Sequence, residues 1–143
     1  MMIPFAMRPA AFAALMALAG CQGTGEFPSL NSVDADGATT YKDNCMSCHG
    51  ASGRGDGVMA ASLPVAPADL SQLAAANGGK FPRDRVIEIV HGYPGQSHAR
   101  VMPDFGSRLG GRTVIHVTED GARLPTPEGL LALVDYIESL QVQ

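Results

Sequence analysis

Cysteine is scarce in this sequence of 143 residues, which contains only Cys21, Cys45 and Cys48. Three cysteines cannot all be paired within one chain, so disulfide bonds alone do not account for them. Positive charge is also in short supply, because 10 Lys and Arg stand against 14 Asp and Glu. The net charge of −4 argues against nucleic acid as a partner. It fits either ordinary solubility or a partner with a basic docking face.

The start of the sequence lacks an apolar run of the about 20 residues that a bilayer requires. Its uncharged stretch runs only from Pro9 to Ala19, and Arg8 is the single charged residue among residues 1–20. A short apolar run after one positive charge is typical of an export signal and not of an anchor helix. We therefore predict a signal peptide over residues 1–20, which leaves a chain suited to one modest domain.

The stretch Leu18-Ala19-Gly20-Cys21 closes this segment and resembles the lipobox of bacterial lipoproteins. The resemblance implies that Cys21 receives the lipid and becomes the first residue of the mature chain. The alternative is an ordinary secretory peptide followed by a stray cysteine. By the same resemblance, Gln22 favours the outer membrane. Residues 21–36 are rich in Gly, Ser and Pro, so we predict a flexible tether from a periplasmic membrane surface to the domain.

The motif Cys45-Met46-Ser47-Cys48-His49 has the spacing of a c-type haem attachment site. In such a site two thiols bind the porphyrin covalently and the adjacent imidazole is the proximal ligand of the iron. The alternatives are a redox-active thiol pair, which requires a βαβ context, and half of a zinc site, which requires further ligands. The sequence shows neither. We therefore predict one covalent haem c on Cys45, Cys48 and His49.

The residues that precede the Cys-X-X-Cys-His motif have the spacing of a helix. Gly37, Tyr41 and Cys45 recur at helical spacing on one face. A glycine and an aromatic residue at these offsets are similar to the N-terminal helix of class I cytochromes c. The resemblance covers roughly residues 37–141 and implies an all-α fold in which Gly37 and Tyr41 pack across the C-terminal helix. It also implies that the glycine-rich segment 50–57 runs close to the porphyrin edge.

Two further helices are predicted after the glycine-rich segment. Asp69 is a good N-cap for a short helix to about Ala76. Pro82 to His91 forms the next helix, which should cover one flank of the haem. By resemblance, the carbonyl group of Pro64 or Pro67 accepts a hydrogen bond from His49 Nδ1 and orients the imidazole.

The segment Met102-Pro103-Asp104-Phe105 resembles the Met-Pro-X-Phe segment that carries the sixth iron ligand in class I cytochromes c. The resemblance implies that Met102 faces His49 across an apolar slot, where a thioether favours ferrous iron. His98 is the main competing ligand, while His91 and His116 are expected to be ordinary surface or partly buried residues. Arg100 either binds a haem propionate or is solvated.

The sequence between Phe105 and Thr126 departs from the simplest pattern of that family. Four of the five residues 113–117 are β-branched, and a turn at 118–121 follows, so a small β-hairpin insertion near 113–124 is predicted. It is either local cover or a docking surface. The last helix should begin with Thr126 as N-cap and Pro127 in its first turn. Its apolar face comprises Leu130, Leu133, Val134, Ile137 and Leu140 or Gln141, with Tyr136 beside them.

These features predict a class I cytochrome c domain over residues 37–143 that carries single electrons between redox partner proteins in the periplasm. If His49 and Met102 both bind the iron, no position is left for a substrate, so no enzyme activity is expected. The alternative is a haem-based small-molecule sensor, or the haem subunit of an oxidoreductase complex, in which the sixth ligand is labile. The sequence gives no sign of oligomerisation, and a monomer is the default expectation.

Overall fold

The computed structural model describes residues 36–93, 101–106 and 108–142. The helices are α1 (Gly37–Asn44), α2 (Met46–His49), α3 (Leu73–Ala76), α4 (Arg83–His91) and α5 (Glu128–Ser139). The strands are β1 (Thr113–Val117) and β2 (Arg123–Pro127), and short 3-10 helices lie at Ala60–Ser62 and Leu70–Gln72. This confirms the predicted mainly helical fold with a small antiparallel hairpin.

Several predicted features lie outside the described residues. They are the signal peptide over residues 1–20, Cys21, most of the tether, His98 and Arg100. Asp36, the last residue of the predicted tether, is the N-cap of α1, because its carboxylate accepts hydrogen bonds from the backbone of Ala38 and Thr39. Among the residues that the structure describes, no helix is long and apolar enough to cross a membrane.

The contact between α1 and α5 forms the centre of the fold. Gly37 lies so close to α5 that a Cβ at this position would overlap the carbonyl group of Ala132. Tyr41 is 1% exposed, and its ring centroid lies 5.2 Å from that of Tyr136. The helix crossing that the resemblance implied for Gly37 and Tyr41 is therefore present.

The core is built from the apolar faces of α4 and α5 around this crossing. The predicted face of α5 is buried at Leu130, Leu133, Val134 and Ile137. Gln141 follows the helix and joins it to another part of the chain, since its side-chain amide accepts a hydrogen bond from Ala74 N and donates one to Leu70 O. These two bonds, of 2.8 and 2.7 Å, fix the C-terminal end of the domain against the α3 region.

The start of α5 differs from the prediction. Thr126 is not an N-cap, because it lies in β2, is fully buried and donates its hydroxyl hydrogen to Leu124 O. Pro127 precedes the helix instead of occupying its first turn, and no side chain caps the helix. The reason is the sheet register, in which Pro127 pairs with Thr113. The strand β2 therefore continues to Pro127, and α5 begins at the next residue.

The other helix boundaries follow the sequence closely. Asp69 is the predicted N-cap, and its carboxylate accepts a hydrogen bond from Ser71 N. The helix α4 begins at Arg83, one residue after the predicted start, and ends at His91. Gly92 is its C-cap and has the left-handed conformation that glycine tolerates best. The hairpin packs on the first turn of α4, where the carboxylate of Asp84 lies 2.7 Å from His116 Nε2 and accepts a hydrogen bond from Glu119 N.

Candidate haem-binding site

A cavity of about 450 Å³ lies against α2, α4 and the segment that follows residue 100. Cys45, Cys48 and His49 line one part of it, and Met102 lines another. The rest of the wall is mostly apolar and includes Leu63, Val65, Ala66, Pro67, Ile89, Val101, Pro103 and Phe105. Its volume falls in the range of about 300 to 1,000 Å³ that is usual for small-molecule and cofactor sites. The fold thus brings four predicted site residues to one cavity from distant parts of the chain.

His49 is oriented by a backbone carbonyl group, although not by the one expected. Its Nδ1 lies 3.0 Å from the carbonyl oxygen of Ala68, so neither Pro64 nor Pro67 supplies the acceptor. The carbonyl oxygen of Pro67 lies close to Gly55, where it would overlap a Cβ. Successive carbonyl groups of an extended segment point in opposite directions, which explains why the next residue reaches the imidazole. A carbonyl oxygen can only accept, so Nδ1 carries the hydrogen and Nε2 keeps its lone pair.

The two thiols of the motif are both free. Cys45 is buried at the C-terminal end of α1, while Cys48 is partly exposed. Burial, followed by the proximity of Cys48, raises the pKa of the Cys45 thiol to about 11. The attacking thiol of a redox-active Cys-X-X-Cys pair has a lowered pKa, and Cys45 does not have this property.

The glycine-rich segment 50–57 packs on the protein backbone and does not line the cavity. Gly57 lies against the backbone of Ser47 and Cys48, where a Cβ would overlap both carbonyl groups. The close approach that the glycines permit is therefore between the loop and α2. The expectation that these residues run close to the porphyrin edge stays a prediction.

The segment that carries Met102 is fixed to the end of α4. Phe105 N donates a 3.0 Å hydrogen bond to Val90 O, and Gly106 N donates one of the same length to His91 O. Phe105 is also buried in the core. These contacts give Met102 a defined position at the cavity.

The described histidines other than His49 lie away from the cavity wall. His91 stacks on Tyr93, with ring centroids 3.6 Å apart, and burial lowers its pKa while nearby Asp104 acts to raise it. His116 is partly buried beside Asp84. Both agree with the expectation of ordinary, partly buried histidines.

Two charged residues at the cavity were missed by the sequence analysis. Arg85 and Glu88 on α4 both line it, next to Ile89, while Val86, Ile87 and Val90 turn towards the core. Polar residues of a surface helix normally face solvent, so the sequence gave no reason to assign these two to a cofactor cavity. The sequence did contain one indication, because Arg85, Glu88 and Ile89 stand at i, i+3 and i+4 and therefore share one face of the helix.

The cavity suits haem c by the chemistry of its walls. An apolar wall matches the porphyrin faces, two free thiols are available for covalent attachment, and an imidazole with a fixed tautomer offers a nitrogen lone pair. The thioether of Met102 adds a soft second ligand. Within the described ranges, no group of three or more His, Cys, Asp or Glu side chains could hold a metal ion.

Comparison with protein-family models matches residues 35–141 to the family described as Cytochrome c. No curated protein and no solved structure matches the chain at a significant level. The family match covers most of the sequence and coincides with the helical domain around the cavity. Cytochromes c bind covalently attached haem c, which is therefore the cofactor of this protein. The chain belongs to the cytochrome c family.

Proposed function

We propose that this protein carries single electrons between redox partner proteins, with the haem iron held between His49 and Met102. The observation that carries the proposal is that both side chains and the thiols of Cys45 and Cys48 line one apolar-walled cavity. Membership of the cytochrome c family supports electron transfer on haem. When bound, haem c supplies an iron that gains and loses one electron.

The roles of the four residues follow from their chemistry. Cys45 and Cys48 hold the cofactor through thioether bonds, and His49 presents Nε2 because its Nδ1–H is donated to Ala68 O. That hydrogen bond fixes the ring and makes the imidazole a better electron donor. The soft, neutral sulfur of Met102 favours the ferrous state and raises the potential.

The remaining wall keeps this arrangement constant in both oxidation states. Ile89 and Phe105 contribute apolar surface that excludes water, and Phe105 is itself bonded through its backbone to α4. A site with two protein ligands to the iron and a mostly apolar wall has no role for a catalytic acid, base or nucleophile. We infer that the protein is an electron carrier and not an enzyme.

The proposed place of action is the periplasm, with the domain tethered to a membrane through a lipid on Cys21. The lipobox-like residues 18–21 support this proposal. Mass spectrometry of Cys21 in the mature protein, together with membrane fractionation, tests it. We expect a lipid on Cys21 and release from the membrane only by detergent, with Cys21→Ser abolishing both. A soluble protein with an unmodified Cys21 contradicts the anchor.

The electron-carrier proposal is tested by mixing the reduced holoprotein with carbon monoxide and recording the absorption spectrum. We expect little change in the spectrum, because His49 and Met102 would both bind the iron and leave no site for carbon monoxide. We also expect a potentiometric titration that fits the transfer of one electron. Rapid and complete binding of carbon monoxide contradicts the proposal and favours a sensor with a labile sixth ligand.

A further inference from the structure

The two outer edges of the β-hairpin differ in how many backbone groups they could offer to a further strand. Thr118 N donates a 2.9 Å hydrogen bond to Ala122 O at one end of the hairpin, and Glu128 N donates one of 2.9 Å to Arg112 O at the other. In an antiparallel pair, bonded and non-bonded positions alternate. Even-numbered residues of β1 therefore bond to β2, whereas the N–H and C=O groups of Thr113, Ile115 and Val117 point away from it.

The outer edge of β2 is poorly suited to pairing with a further strand. The register places Arg123, Pro125 and Pro127 opposite the non-bonded positions of β1, so their backbone groups point outwards. Two of the three are prolines, which have no N–H to offer to a further strand. The carbonyl oxygen of Pro125 is already used, because it accepts a 2.9 Å hydrogen bond from the hydroxyl group of Tyr93.

The outer edge of β1 has no such protection. Among the described residues, the backbone groups of Thr113, Ile115 and Val117 make no hydrogen bond outside the hairpin. Ile115 and Val117 are 49% and 54% exposed, and neither a proline nor an exposed charge interrupts the strand. The one ionisable side chain of β1, His116, points to the opposite face and contacts Asp84. Exposed edges of this composition pair readily with another strand.

We propose that β1 pairs with β1 of a second copy of this chain, antiparallel and centred on Ile115, to form a four-stranded sheet. A two-fold axis at Ile115 places this residue opposite its own counterpart and Thr113 opposite Val117 of the second copy. All three are outward-pointing positions, so the hydrogen bonds of both open edges are completed together. The two exposed apolar side chains are then covered by their neighbours across the new pair.

The charges at the two ends of β1 favour this arrangement. Arg112 precedes the strand, and its side chain is 79% exposed although it forms a salt bridge with Glu128 of the same chain. Of the two exposed acidic residues that follow the strand, Glu119 pairs with Lys80, whereas Asp120 forms no salt bridge among the described residues. Antiparallel pairing of two copies brings Arg112 of each towards the acidic end of the other, whereas parallel pairing would oppose like charges. The ends of β1 carry opposite charges that complement each other when two copies pair antiparallel, so we assign the edge to a second copy.

The contact is small, because five residues on each side bury much less than the about 1,000 Å² of a stable interface. The holoprotein should therefore associate reversibly, and sedimentation velocity from about 10 µM to about 1 mM covers the range of a weak interface. We expect the weight-average mass to rise towards that of a dimer over this range. A holoprotein that stays monomeric throughout contradicts the proposal, including the case in which the edge serves a different protein.

Charge exchange at the centre of the pair tests the register. Ile115→Lys and Ile115→Glu each oppose like charges across the two-fold axis, so each variant should be monomeric. An equimolar mixture should associate again, because lysine then faces glutamate. Neither variant touches the hydrogen bonds between β1 and β2, and a folding defect would not be repaired by mixing. Association of either single variant at the wild-type level, or no association of the mixture, overturns the assigned register.

Discussion

The hydroxyl group of Tyr41 donates a 2.7 Å hydrogen bond to the carbonyl oxygen of Gly50, which directly follows His49. Tyr41 lies at the contact of α1 with α5 and is almost completely buried. One side chain therefore joins the central helix crossing to the end of the Cys-X-X-Cys-His motif. Burial raises the pKa of this phenol to about 12, which keeps it a hydrogen-bond donor at neutral pH.

Tyr41→Phe tests this connection. The substitution leaves the buried carbonyl oxygen of Gly50 without its partner, so we expect the free energy of unfolding to fall by about 1 to 3 kcal/mol. Denaturant unfolding of the holoprotein measures the loss. Tyr136→Phe is the matched control, because the hydroxyl group of Tyr136 has no hydrogen-bond partner among the described residues, and it should change stability little. Equal effects of the two substitutions would mean that the bond to Gly50 is not important.

Gly37→Ala tests the closeness of α1 and α5. Alanine normally stabilises a helix by about 1 kcal/mol relative to glycine. Here the added methyl group would overlap the carbonyl group of Ala132, so the helices must move apart and we expect destabilisation by about 1 to 3 kcal/mol. Gly110→Ala is the control, because a Cβ at Gly110 meets nothing within 4 Å. Thermal unfolding of both variants gives the comparison, and a stabilised Gly37→Ala variant would contradict the packing.

The attachment of the hairpin to α4 should weaken in acid. Burial acts to raise the pKa of Asp84, but the hydrogen bonds from Glu119 N and His116 outweigh it and leave the pKa below its usual value. A carboxylate with a lowered pKa in the folded state stabilises the protein above the unfolded pKa of about 4, and this contribution is lost as the pH falls through the folded value.

Asp84→Asn should therefore reduce stability at pH 7 by about 1 kcal/mol, a modest value because the carboxylate is partly exposed. The difference from wild type should shrink below about pH 4, where the wild-type carboxylate is itself protonated. Denaturant unfolding at both pH values measures it. Asp43→Asn, at an exposed position of α1, is the control. A difference that stays constant with pH would show that the charge of Asp84 contributes nothing.

The spacing of residues along the sequence correctly predicted those features of the fold that depend on residues close together in the chain. Three predicted features depend only on residues within one or two turns of a helix, and all three occur in the structure. They are the shared face of Gly37 and Tyr41, the N-cap at Asp69 and the C-cap at Gly92. The apolar face of α5 is similarly local. Helical periodicity indicates which side chains are buried. The crossing of α1 and α5 was implied by the resemblance to class I cytochromes c and not by periodicity.

Features that depend on tertiary contacts were not predictable from one sequence. Thr126 has the composition of an N-cap, but cross-strand pairing with Val114 holds it in β2. The acceptor for His49 Nδ1 is the carbonyl oxygen of Ala68 and not, as was predicted, that of a proline. The direction of a carbonyl group depends on the path of the extended segment, which the sequence does not give. Arg85 and Glu88 face the cavity for a similar reason, since the orientation of α4 and not its sequence decides which polar side chains line the site.

The charges of Arg85 and Glu88 should influence the haem potential. A negative charge at the cavity stabilises the oxidised, more positive iron, and a positive charge destabilises it. Glu88→Gln should therefore raise the potential and Arg85→Gln should lower it, each by roughly tens of millivolts, the scale of about 1 kcal/mol for one electron. Potentiometric titration at pH 7 measures both. Arg108→Gln, an exposed residue outside the cavity wall, should leave the potential unchanged. Shifts in the opposite directions would contradict the proposed placement of these charges.

Met102→Ala tests the proposed sixth ligand directly. The thioether bonds to Cys45 and Cys48 do not depend on Met102, so the haem should remain covalently attached while the methionine-to-iron charge-transfer band of the ferric protein disappears. The potential should fall, because a soft ligand that favours ferrous iron has been removed. Met59→Ala is the matched control, since Met59 is about half exposed and lies outside the cavity wall. If the Met102→Ala protein keeps an unchanged charge-transfer band, Met102 is not the ligand, and the closed site on which the electron-carrier proposal depends must be abandoned.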